Sequence, residues 1–307
     1  MLVEKNVPLQ GLNTFHIVAK AQTLVRIADL QDLRQVLADP HLNACPKFVL
    51  GGGSNIVLTG DVKPLVLKVE LMGKRLLEET KKNYIIEAGA GENWHALVAW
   101  TLDQGWLGLE NLALIPGTVG GAPVQNIGAY GVELQDRFDS LDGVDLVTGE
   151  AFTLNAAQCG FGYRDSVFKH APAQAGATAS RRPGQLAAAQ PSSDRPGAFG
   201  LAGRALITRV RFSLPKAWKP VLGYADLAKR AAQPGNQSPT ARQIFDWVCE
   251  IRRAKLPDPA LLGNAGSFFK NPTVTPEQCA DIIAREPPFK SEVVKAAMSP
   301  TCMAEAP

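Results

Sequence analysis

A glycine-rich stretch with little charge, IPGTVGGAPVQNIGAYGVE at residues 115–133, strongly restricts how this chain can fold. Glycine loses much backbone entropy on folding, so this many glycines are costly unless the main chain must closely approach another surface. The apolar side chains of Ile115, Val119, Val124 and Ile127 favour burial, which argues against a plain linker. The stretch therefore predicts a folded loop against a large flat ligand, with a glycine-rich linker as the alternative.

A second glycine run, LGGGSN at residues 50–55, follows a short predicted strand, KFVL. Consecutive amide N–H groups without side chains can surround an anion, and a diphosphate would fit. A Rossmann turn or a P-loop would continue into a helix, whereas the β-branched sequence NIVLT predicts another strand. The run is interpreted as a loop between two strands, either one that binds an anion or a hairpin without a ligand.

Short strand-like runs alternate with amphipathic helices elsewhere, which predicts an α/β or α+β fold. The predicted strands are PLVLKV, NYIIEAGAG and ALITRVRFSL. The predicted helices are LQDLRQVLADP, ended by Pro40, and NWHALVAWTLDQG, closed by Gly105. A third helix is predicted to begin with Ser238 as N-cap and Pro239 as first residue and to stop before Pro257. One face of that helix carries four apolar side chains, those of Ile244, Trp247, Val248 and Ile251.

Composition limits the classes of function that the chain can have. Its 307 residues, 46% of them hydrophobic, suffice for a large core and two domains. A net charge of +3 gives no basic surface of the kind that nucleic-acid binding needs. The first residues lack the apolar region of a signal peptide, and no apolar run is long enough to span a membrane. A soluble cytoplasmic protein without a membrane segment is therefore expected. The cysteines are widely spaced, which predicts reduced thiols and no metal site: Cys45, Cys159, Cys249, Cys279 and Cys302.

Two segments are predicted to lie outside the hydrophobic core, one as an insertion and one as a hinge. Residues 171–203 are rich in Ala, Pro, Gly, Ser and Gln without hydrophobic periodicity, which predicts a disordered surface insertion. The sequence PKAWKP, residues 215–220, is interpreted as a hinge between domains.

Several polar residues in apolar surroundings are candidates for a site. Arg164 stands among aromatic residues, where its guanidinium needs a partner, either Asp165 or an anionic ligand. Lys255 lies before two prolines and is either a site residue or an ordinary lysine at a helix end. Tyr224 is by composition a surface or rim residue. Ser267 precedes two phenylalanines and either starts a strand, caps a helix or has a chemical role.

Six motifs in order resemble the UDP-N-acetylenolpyruvoylglucosamine reductase family, over about residues 8 to 285. They are LGGGSN, GAGENWHALV, GLENLALIPGTVGGAPVQNIGAYGVEL, FGYRDSVFK, KLPDP and GNAGSFFKNP. The resemblance implies an α+β fold with an FAD-binding domain of the vanillyl-alcohol-oxidase type at 1–215, in two lobes, and a smaller substrate-binding domain at 216–307. It also implies that NADPH reduces FAD and that the flavin reduces UDP-N-acetylglucosamine enolpyruvate to UDP-N-acetylmuramate for peptidoglycan.

The resemblance also implies roles for individual residues. Ser267 matches the serine that delivers a proton, and Arg164 matches the arginine that stabilises the enolate. Residues matching the substrate site are Tyr130, Tyr224, Lys255 and Asn271. Residues matching the FAD site are Gly51, Gly52, Gly53, Ser54, Asn55, Pro116, Gly117, Thr118, Gly120, Gly121, Asn126, Gly128, Ala129 and Gly131.

One feature of the family has no match in this sequence. The family's third catalytic residue is a glutamate near its C-terminus, whereas the residues after Arg285 read EPPFKSEVVKAAMSPTCMAEAP. We therefore expect an impaired proton-coupled step, an incomplete substrate domain and association through its exposed surface, although a fully folded chain would be a monomer. A non-catalytic FAD- or UDP-sugar-binding protein is the alternative, and a flavin oxidase with another substrate is disfavoured by YRDSVFK and GSFFKNP.

Overall fold

Two β-sheets and the helices packed on them form the framework of the chain, which the computed structural model describes for residues 1–171, 200–266, 272 and 274–285. The strands are Val3–Pro8 (β1), Lys20–Ile27 (β2), Lys47–Leu50 (β3), Leu65–Val69 (β4), Lys74–Glu79 (β5), Asn83–Gly89 (β6), Gly128–Ala129 (β7), Val132–Glu133 (β8), Phe138–Asp145 (β9), Ala151–Asn155 (β10) and Ala205–Pro215 (β11). The α-helices are Leu30–Ala38 (α1), Pro40–Ala44 (α2), Trp94–Asp103 (α3), Ala156–Cys159 (α4), Ala225–Ala231 (α5), Ala241–Lys255 (α6) and Pro276–Arg285 (α7).

The two larger sheets differ in strand direction. Among the described residues the first has four strands in the order β1-β2-β4-β3, in which β2 and β3 run parallel to β4 and β1 runs antiparallel to β2. The second has five strands in the order β10-β9-β11-β6-β5, all antiparallel. Helices packed against a mixed sheet and an antiparallel sheet make the α+β arrangement, which confirms the predicted class.

The helix α3 connects the antiparallel sheet to the glycine-rich stretch. Trp94, on its first turn, is 1% exposed, and its ring meets Phe212 of β11 edge to face with centroids 5.7 Å apart. A buried indole N–H needs an acceptor, and Trp94 Nε1 donates to the carbonyl oxygen of Leu112 at 2.9 Å. Gly105, with φ of +77°, follows the end of the helix. The chain that leads into residues 115–133 is thereby fixed to the core.

Most of the predicted elements are confirmed. The predicted helix LQDLRQVLADP is α1, and its end at Ala38 agrees with the stop expected from Pro40. Pro40 also begins α2, because its fixed φ and missing N–H suit the first position of a helix. The strand predictions KFVL, PLVLKV, NYIIEAGAG and ALITRVRFSL correspond to β3, β4, β6 and β11.

The prediction of a strand at NIVLT is wrong. The loop after β3 does lead to another strand, but that strand is β4, and residues 56–59 between them have no regular structure. The β-branched and apolar residues that suggested a strand have another role. Ile56 and Leu58 pack on a small apolar cluster that includes Leu24, Leu50 and Val66, so the pattern records burial without a hydrogen-bonded partner strand.

The predicted start of the long helix α6 is also wrong. Thr240, and not Ser238, is the N-cap, and the first helical residue is Ala241 rather than Pro239. Thr240 and Gln243 form a capping box: the hydroxyl of Thr240 accepts from Gln243 N at 3.2 Å, and Gln243 Oε1 accepts from Thr240 N at 2.9 Å. Two satisfied N–H groups favour this start over the Ser-Pro pair. The predicted stop before Pro257 is confirmed, since α6 ends at Lys255.

The apolar face predicted for α6 is confirmed for three of its four residues: Ile244 and Val248 are fully buried and Ile251 is 6% exposed, whereas Trp247 is half-buried.

Of the predicted insertion, residues 172–199 lie outside the described part of the chain. Within the described residues no helix combines the length and apolarity that a membrane span needs.

Candidate functional site

The two glycine loops predicted from the sequence lie against each other. A Cβ atom at Gly52 would stand 2.9 Å from Cα of Gly117, and one at Gly51 would stand 2.8 Å from Oγ1 of Thr118. Both distances are shorter than real Cβ contacts, so a larger residue would push the loops apart. The glycines therefore bring residues 51–55 and 115–133 together into one surface.

Hydrogen bonds between side chains and the opposite loop fix that surface. The hydroxyl of Ser54 donates to the carbonyl oxygen of Pro116 at 3.1 Å, and Nδ2 of Asn55 donates to Oε1 of Gln125 at 2.9 Å. Lys68 of β4 donates to the carbonyl oxygen of Gly51 at 2.7 Å. Burial lowers the pKa of Lys68, and the neighbouring Arg26 lowers it further, against Glu70, which raises it. These side chains hold the loops in place.

The backbone of the first loop has free donors. Within the described residues, the backbone N–H groups of residues 52–55 donate to no acceptor, and the same holds for residues 117 and 118. Successive unpaired N–H groups in a glycine loop suit an anion such as a diphosphate. These donors fit the phosphates of a dinucleotide such as FAD.

Two of the residues predicted for the cofactor serve mainly to shape the second loop. A Cβ at Gly120 would lie 2.6 Å from that of Ala90, so this glycine allows the loop to pack on the strand side of the core. Asn126 is fully buried, and its Nδ2 donates to Oε2 of Glu133 at 2.9 Å and to the carbonyl oxygen of Gly162 at 3.1 Å. Gly121, by contrast, is exposed with only ordinary contacts around it.

Arg164 lies beside the short hairpin of β7 and β8. Its Nη2 donates to the carbonyl oxygen of Gly128 at 2.7 Å, and its guanidinium carbon is 5.5 Å from the ring centroid of Tyr163. Asp165, one of the two partners considered from the sequence, instead pairs with His170 at 2.9 Å. Within the described residues Arg164 has no carboxylate partner. An anionic ligand is the partner that the geometry leaves open.

Two tyrosines and a lysine predicted for the substrate are brought together. The rings of Tyr130 and Tyr224 meet edge to face with centroids 4.9 Å apart. Lys255, at the end of α6, is 6.0 Å from the ring centroid of Tyr224 and pairs with Asp226 at 2.5 Å. Burial raises the pKa of Tyr130, and its neighbour Tyr224 adds to this, while Arg252 and Lys255 oppose it. Tyr130 is therefore a neutral hydrogen-bond donor at physiological pH.

Arg252 joins this group, although sequence reasoning missed it. It is half-buried on α6, one turn before Lys255, and its Nε donates to the carbonyl oxygen of Leu114 at 3.2 Å, the one hydrogen bond of its side chain within the described residues. Burial lowers its pKa, and the like charge of Arg164 lowers it further, while Tyr130 raises it. The guanidinium still stays charged, so a second cation without a carboxylate faces the site. The sequence IRRAK gave no signal that separates Arg252 from its neighbour Arg253.

The short turn at Glu110–Leu112 supports the tyrosines from behind. Nδ2 of Asn111, which is 1% exposed, donates to the carbonyl oxygens of Tyr130 and Val221, both at 2.9 Å. Its neighbour Glu110 accepts a hydrogen bond from Trp218 Nε1 at 2.6 Å. Trp218 lies in the segment interpreted as a hinge and Val221 directly follows it, so this turn holds the chain at two points just before Tyr224.

His95 supports the second loop in a similar way. Its Nδ1 accepts a hydrogen bond from the backbone N–H of Leu114 at 3.0 Å, and its ring stacks on Phe245 with centroids 5.3 Å apart. Burial lowers the pKa of His95, and the charges of Arg253 and Arg252 lower it further. The imidazole therefore stays neutral and remains an acceptor at physiological pH.

Strained backbone conformations concentrate in this region. Non-glycine residues seldom adopt a positive φ, and this strain persists where the surroundings impose it, often at functional sites. Among the described residues six have one; Asn6 and His16 lie elsewhere, and the others belong to the site: Leu114 (+59°), Asn126 (+42°), Tyr130 (+51°) and Arg164 (+55°). Two of the predicted site residues, Ser267 and Asn271, lie outside the described residues.

The comparisons with known proteins agree with this arrangement. Residues 21–155 match the family described as FAD binding domain. A structure from Thermus caldophilus, of UDP-N-acetylenolpyruvylglucosamine reductase (MurB), is similar with a TM-score of 0.58 over 89% of this chain and 76% of that one. Its 23% sequence identity makes it a likeness of fold. The fold and the matched domain define a flavoprotein of the FAD-binding class.

Sequence relatives give the family itself. UDP-N-acetylenolpyruvoylglucosamine reductase of Azoarcus sp. (strain BH72) is 49% identical over 291 residues, which cover 94% of this chain and 75% of the relative. The protein of the same name from Paraburkholderia xenovorans (strain LB400) is 48% identical over 288 residues, 93% of this chain and 75% of the relative. The chain belongs to the UDP-N-acetylenolpyruvoylglucosamine reductase family, whose members are oxidoreductases of peptidoglycan synthesis.

Proposed function

We propose that this chain reduces UDP-N-acetylglucosamine enolpyruvate to UDP-N-acetylmuramate, with FAD as its cofactor and NADPH as the reductant. The observation that carries the proposal is a pair of half-buried arginines, Arg164 and Arg252, which have no carboxylate partner within the described residues. The substrate has a carboxylate and a diphosphate, and both are anions that such guanidinium groups bind well.

In the proposed reaction the glycine loops, Arg164 and Ser267 each have a separate role. When bound, FAD supplies the redox chemistry, taking a hydride from NADPH and giving it to the enolpyruvyl double bond. The unpaired N–H groups of residues 52–55 and 117–118 hold its diphosphate. Arg164 binds the substrate carboxylate and stabilises the negative charge that develops on it. Ser267 then delivers a proton to the adjacent carbon, as the resemblance implies.

The remaining cluster binds the rest of the substrate. Tyr130 and Tyr224 offer phenol donors and ring faces, and Lys255 offers a positive charge beside them. Lys255 is already paired with Asp226, so a bound diphosphate would compete with that carboxylate for the ammonium group. Together with Arg252 these residues favour a nucleotide sugar over an uncharged sugar.

The test separates the two half-reactions under anaerobic conditions. The protein is loaded with FAD and reduced with NADPH, and flavin absorbance is followed after mixing with UDP-N-acetylglucosamine enolpyruvate. The proposal expects re-oxidation of the flavin with formation of UDP-N-acetylmuramate, whereas UDP-N-acetylglucosamine, which lacks the double bond, should leave the flavin reduced. A flavin that binds and reduces but stays reduced with both sugars would overturn the proposal and favour a binding protein.

A further inference from the structure

A segment near the N-terminus contacts both the first glycine loop and the chain that leads to Ser267. The backbone N–H of Thr14 donates to the carbonyl oxygen of Gly53 at 3.1 Å. A Cβ at Gly53 would lie 2.0 Å from the carbonyl oxygen of Leu12, so the loop and this segment are in direct backbone contact. Gly53 also has a φ of +64°, a conformation that glycine adopts easily. The two pieces of backbone therefore move as one unit.

The same segment binds residues 257–264. The backbone N–H of Asn264 donates to the carbonyl oxygen of Thr14 at 3.0 Å, and the hydroxyl of Thr14 donates to the carbonyl oxygen of Asn264 at 2.6 Å. His16 Nε2 lies 2.8 Å from the carbonyl oxygen of Pro259. A Cβ at Gly263 would lie 2.4 Å from the carbonyl oxygen of Phe15, which again shows close backbone contact.

Internal hydrogen bonds stiffen both partners. Asn13 is 4% exposed, and its Nδ2 donates to the carbonyl oxygens of Leu9 and Ile17 at 2.8 and 3.2 Å. On the other side, Nδ2 of Asn264 donates to the carbonyl oxygens of Pro257 and Leu262 at 3.2 and 2.8 Å. A contact between two rigid segments fixes their relative position better than a contact between two flexible segments.

We propose that Thr14 is a positioning residue that joins the phosphate-binding loop at residues 51–55 to the segment carrying Ser267. Asn264 stands three residues before Ser267 in the sequence, so the Thr14 bonds fix where that segment leaves the described fold. An anion bound at residues 52–55 restrains Gly53, and Gly53 restrains Asn264 through Thr14. The inference rests on the proposed function for the role of Ser267, but the contact itself can be tested without turnover.

The first test is hydrogen exchange of the protein with and without FAD, read on peptides that cover residues 51–55 and 257–266. In the wild type FAD should slow exchange in both peptides. In Thr14→Val, which keeps the shape and both backbone hydrogen bonds but loses the hydroxyl, FAD should still slow exchange at 51–55 but slow it clearly less at 257–266 than in the wild type. Thr14→Ser, which keeps the hydroxyl, should behave as the wild type. Thr153→Val is the matched control, since it removes a hydroxyl that donates to Asp142 within the five-stranded sheet.

The second test is the rate at which substrate re-oxidises the reduced flavin. Loss of one hydrogen bond predicts a fall of about 5- to 20-fold in Thr14→Val, with reduction by NADPH unchanged and with Thr14→Ser restoring the rate. If FAD leaves the exchange of 257–266 unchanged in the wild type, or Thr14→Val exchanges and reacts as the wild type, the inference is overturned. A wild type that never re-oxidises with substrate would instead overturn the proposed function, while the exchange experiment would still decide the role of Thr14.

Discussion

The guanidinium of Arg164 donates from Nη2 to the carbonyl oxygen of Gly128, at 2.7 Å, and this bond sets the direction of the side chain. A Cβ at Gly128 would lie 3.2 Å from Nη1 of Arg164, so the absence of a side chain there makes room for the guanidinium. One side of the guanidinium is thus held by the backbone of the second glycine loop. Its other donors remain for a ligand.

Replacing Arg164 by lysine tests this arrangement. Lysine keeps the charge but cannot bond Gly128 and a carboxylate at the same time with fixed geometry, so we expect re-oxidation of the flavin by substrate to slow by about 10²–10³-fold. Stopped-flow absorbance measures this rate, and a flavin titration measures FAD binding, which should not change. Arg34→Lys, on the exposed side of α1, is the control. A normal rate in Arg164→Lys would contradict the assigned role.

The contact between the glycine loops gives a second prediction. Gly52→Ala places a methyl group 2.9 Å from Cα of Gly117, a backbone atom that cannot rotate away, so the loops must separate. We expect a loss of about 1–3 kcal/mol in the free energy of unfolding and a marked loss of FAD affinity. Urea denaturation and a flavin titration measure the two effects.

Gly60→Ala is the matched control for that variant. No atom lies within 4 Å of a Cβ built at Gly60, and its backbone needs no positive φ. Its stability and FAD affinity should therefore stay close to those of the wild type. Equal FAD affinity in both variants would show that the close approach of the loops is not needed for the cofactor.

The glycine loops and the long helices could be predicted from the sequence because their signals are local. Entropy makes a cluster of glycines informative wherever it stands, and α1, α3 and α6 carry apolar faces at helical spacing. The strand predicted at NIVLT failed for the opposite reason. β-Branched and apolar residues also suit a partly buried segment without regular structure, and only the tertiary fold decides whether a neighbouring strand exists to pair with them.

The residues that support the site from behind, Arg252 and Asn111, could not be predicted from local sequence signals. Arg252 is one of two adjacent arginines, and the sequence alone does not tell which of them turns toward Leu114. Asn111 connects Tyr130 with Val221, which are 19 and 110 residues away along the chain. Such contacts between distant segments leave no periodic pattern, so they become visible only in the folded structure.

Asn111→Asp tests the support behind the two tyrosines. Aspartate cannot donate, so the carbonyl oxygens of Tyr130 and Val221 would each lose a hydrogen bond and face a carboxylate instead. We expect a less stable fold, by about 1–3 kcal/mol, and a raised KM for the nucleotide sugar, because Tyr130 and Tyr224 lose their mutual geometry. Reduction of the flavin by NADPH should keep its rate.

The control for Asn111→Asp makes the same chemical change on the surface. Asn43 is exposed, so Asn43→Asp should alter neither the KM nor the stability noticeably. Steady-state kinetics with the nucleotide sugar and thermal denaturation measure both variants. A raised KM that is matched by an equal fall in the rate of the NADPH half-reaction would point to general unfolding and speak against a specific support of the tyrosines.

Cys159 gives a prediction for alkaline pH. Its thiol is fully buried, and burial raises its pKa to about 12. Because the folded-state pKa lies above the value of about 8.5 for an unfolded chain, the folded state holds the proton more tightly. The stability that this contributes is complete below the unfolded pKa, and it is lost as pH rises through the interval up to the folded pKa, by at most about 1.4 kcal/mol per pH unit.

Replacing Cys159 by alanine removes that contribution. Cys159→Ala should be somewhat less stable than the wild type at neutral pH because it leaves a small cavity, and the gap should narrow by up to about 2 kcal/mol by about pH 10. Burial is also the main cause that raises the pKa of Cys249. The stability difference between the wild type and Cys249→Ala should therefore also narrow as pH rises. Urea denaturation at the two pH values measures the difference in the free energy of unfolding between the wild type and Cys159→Ala. If this difference does not change with pH, the pKa of the Cys159 thiol is the same in the folded and unfolded states.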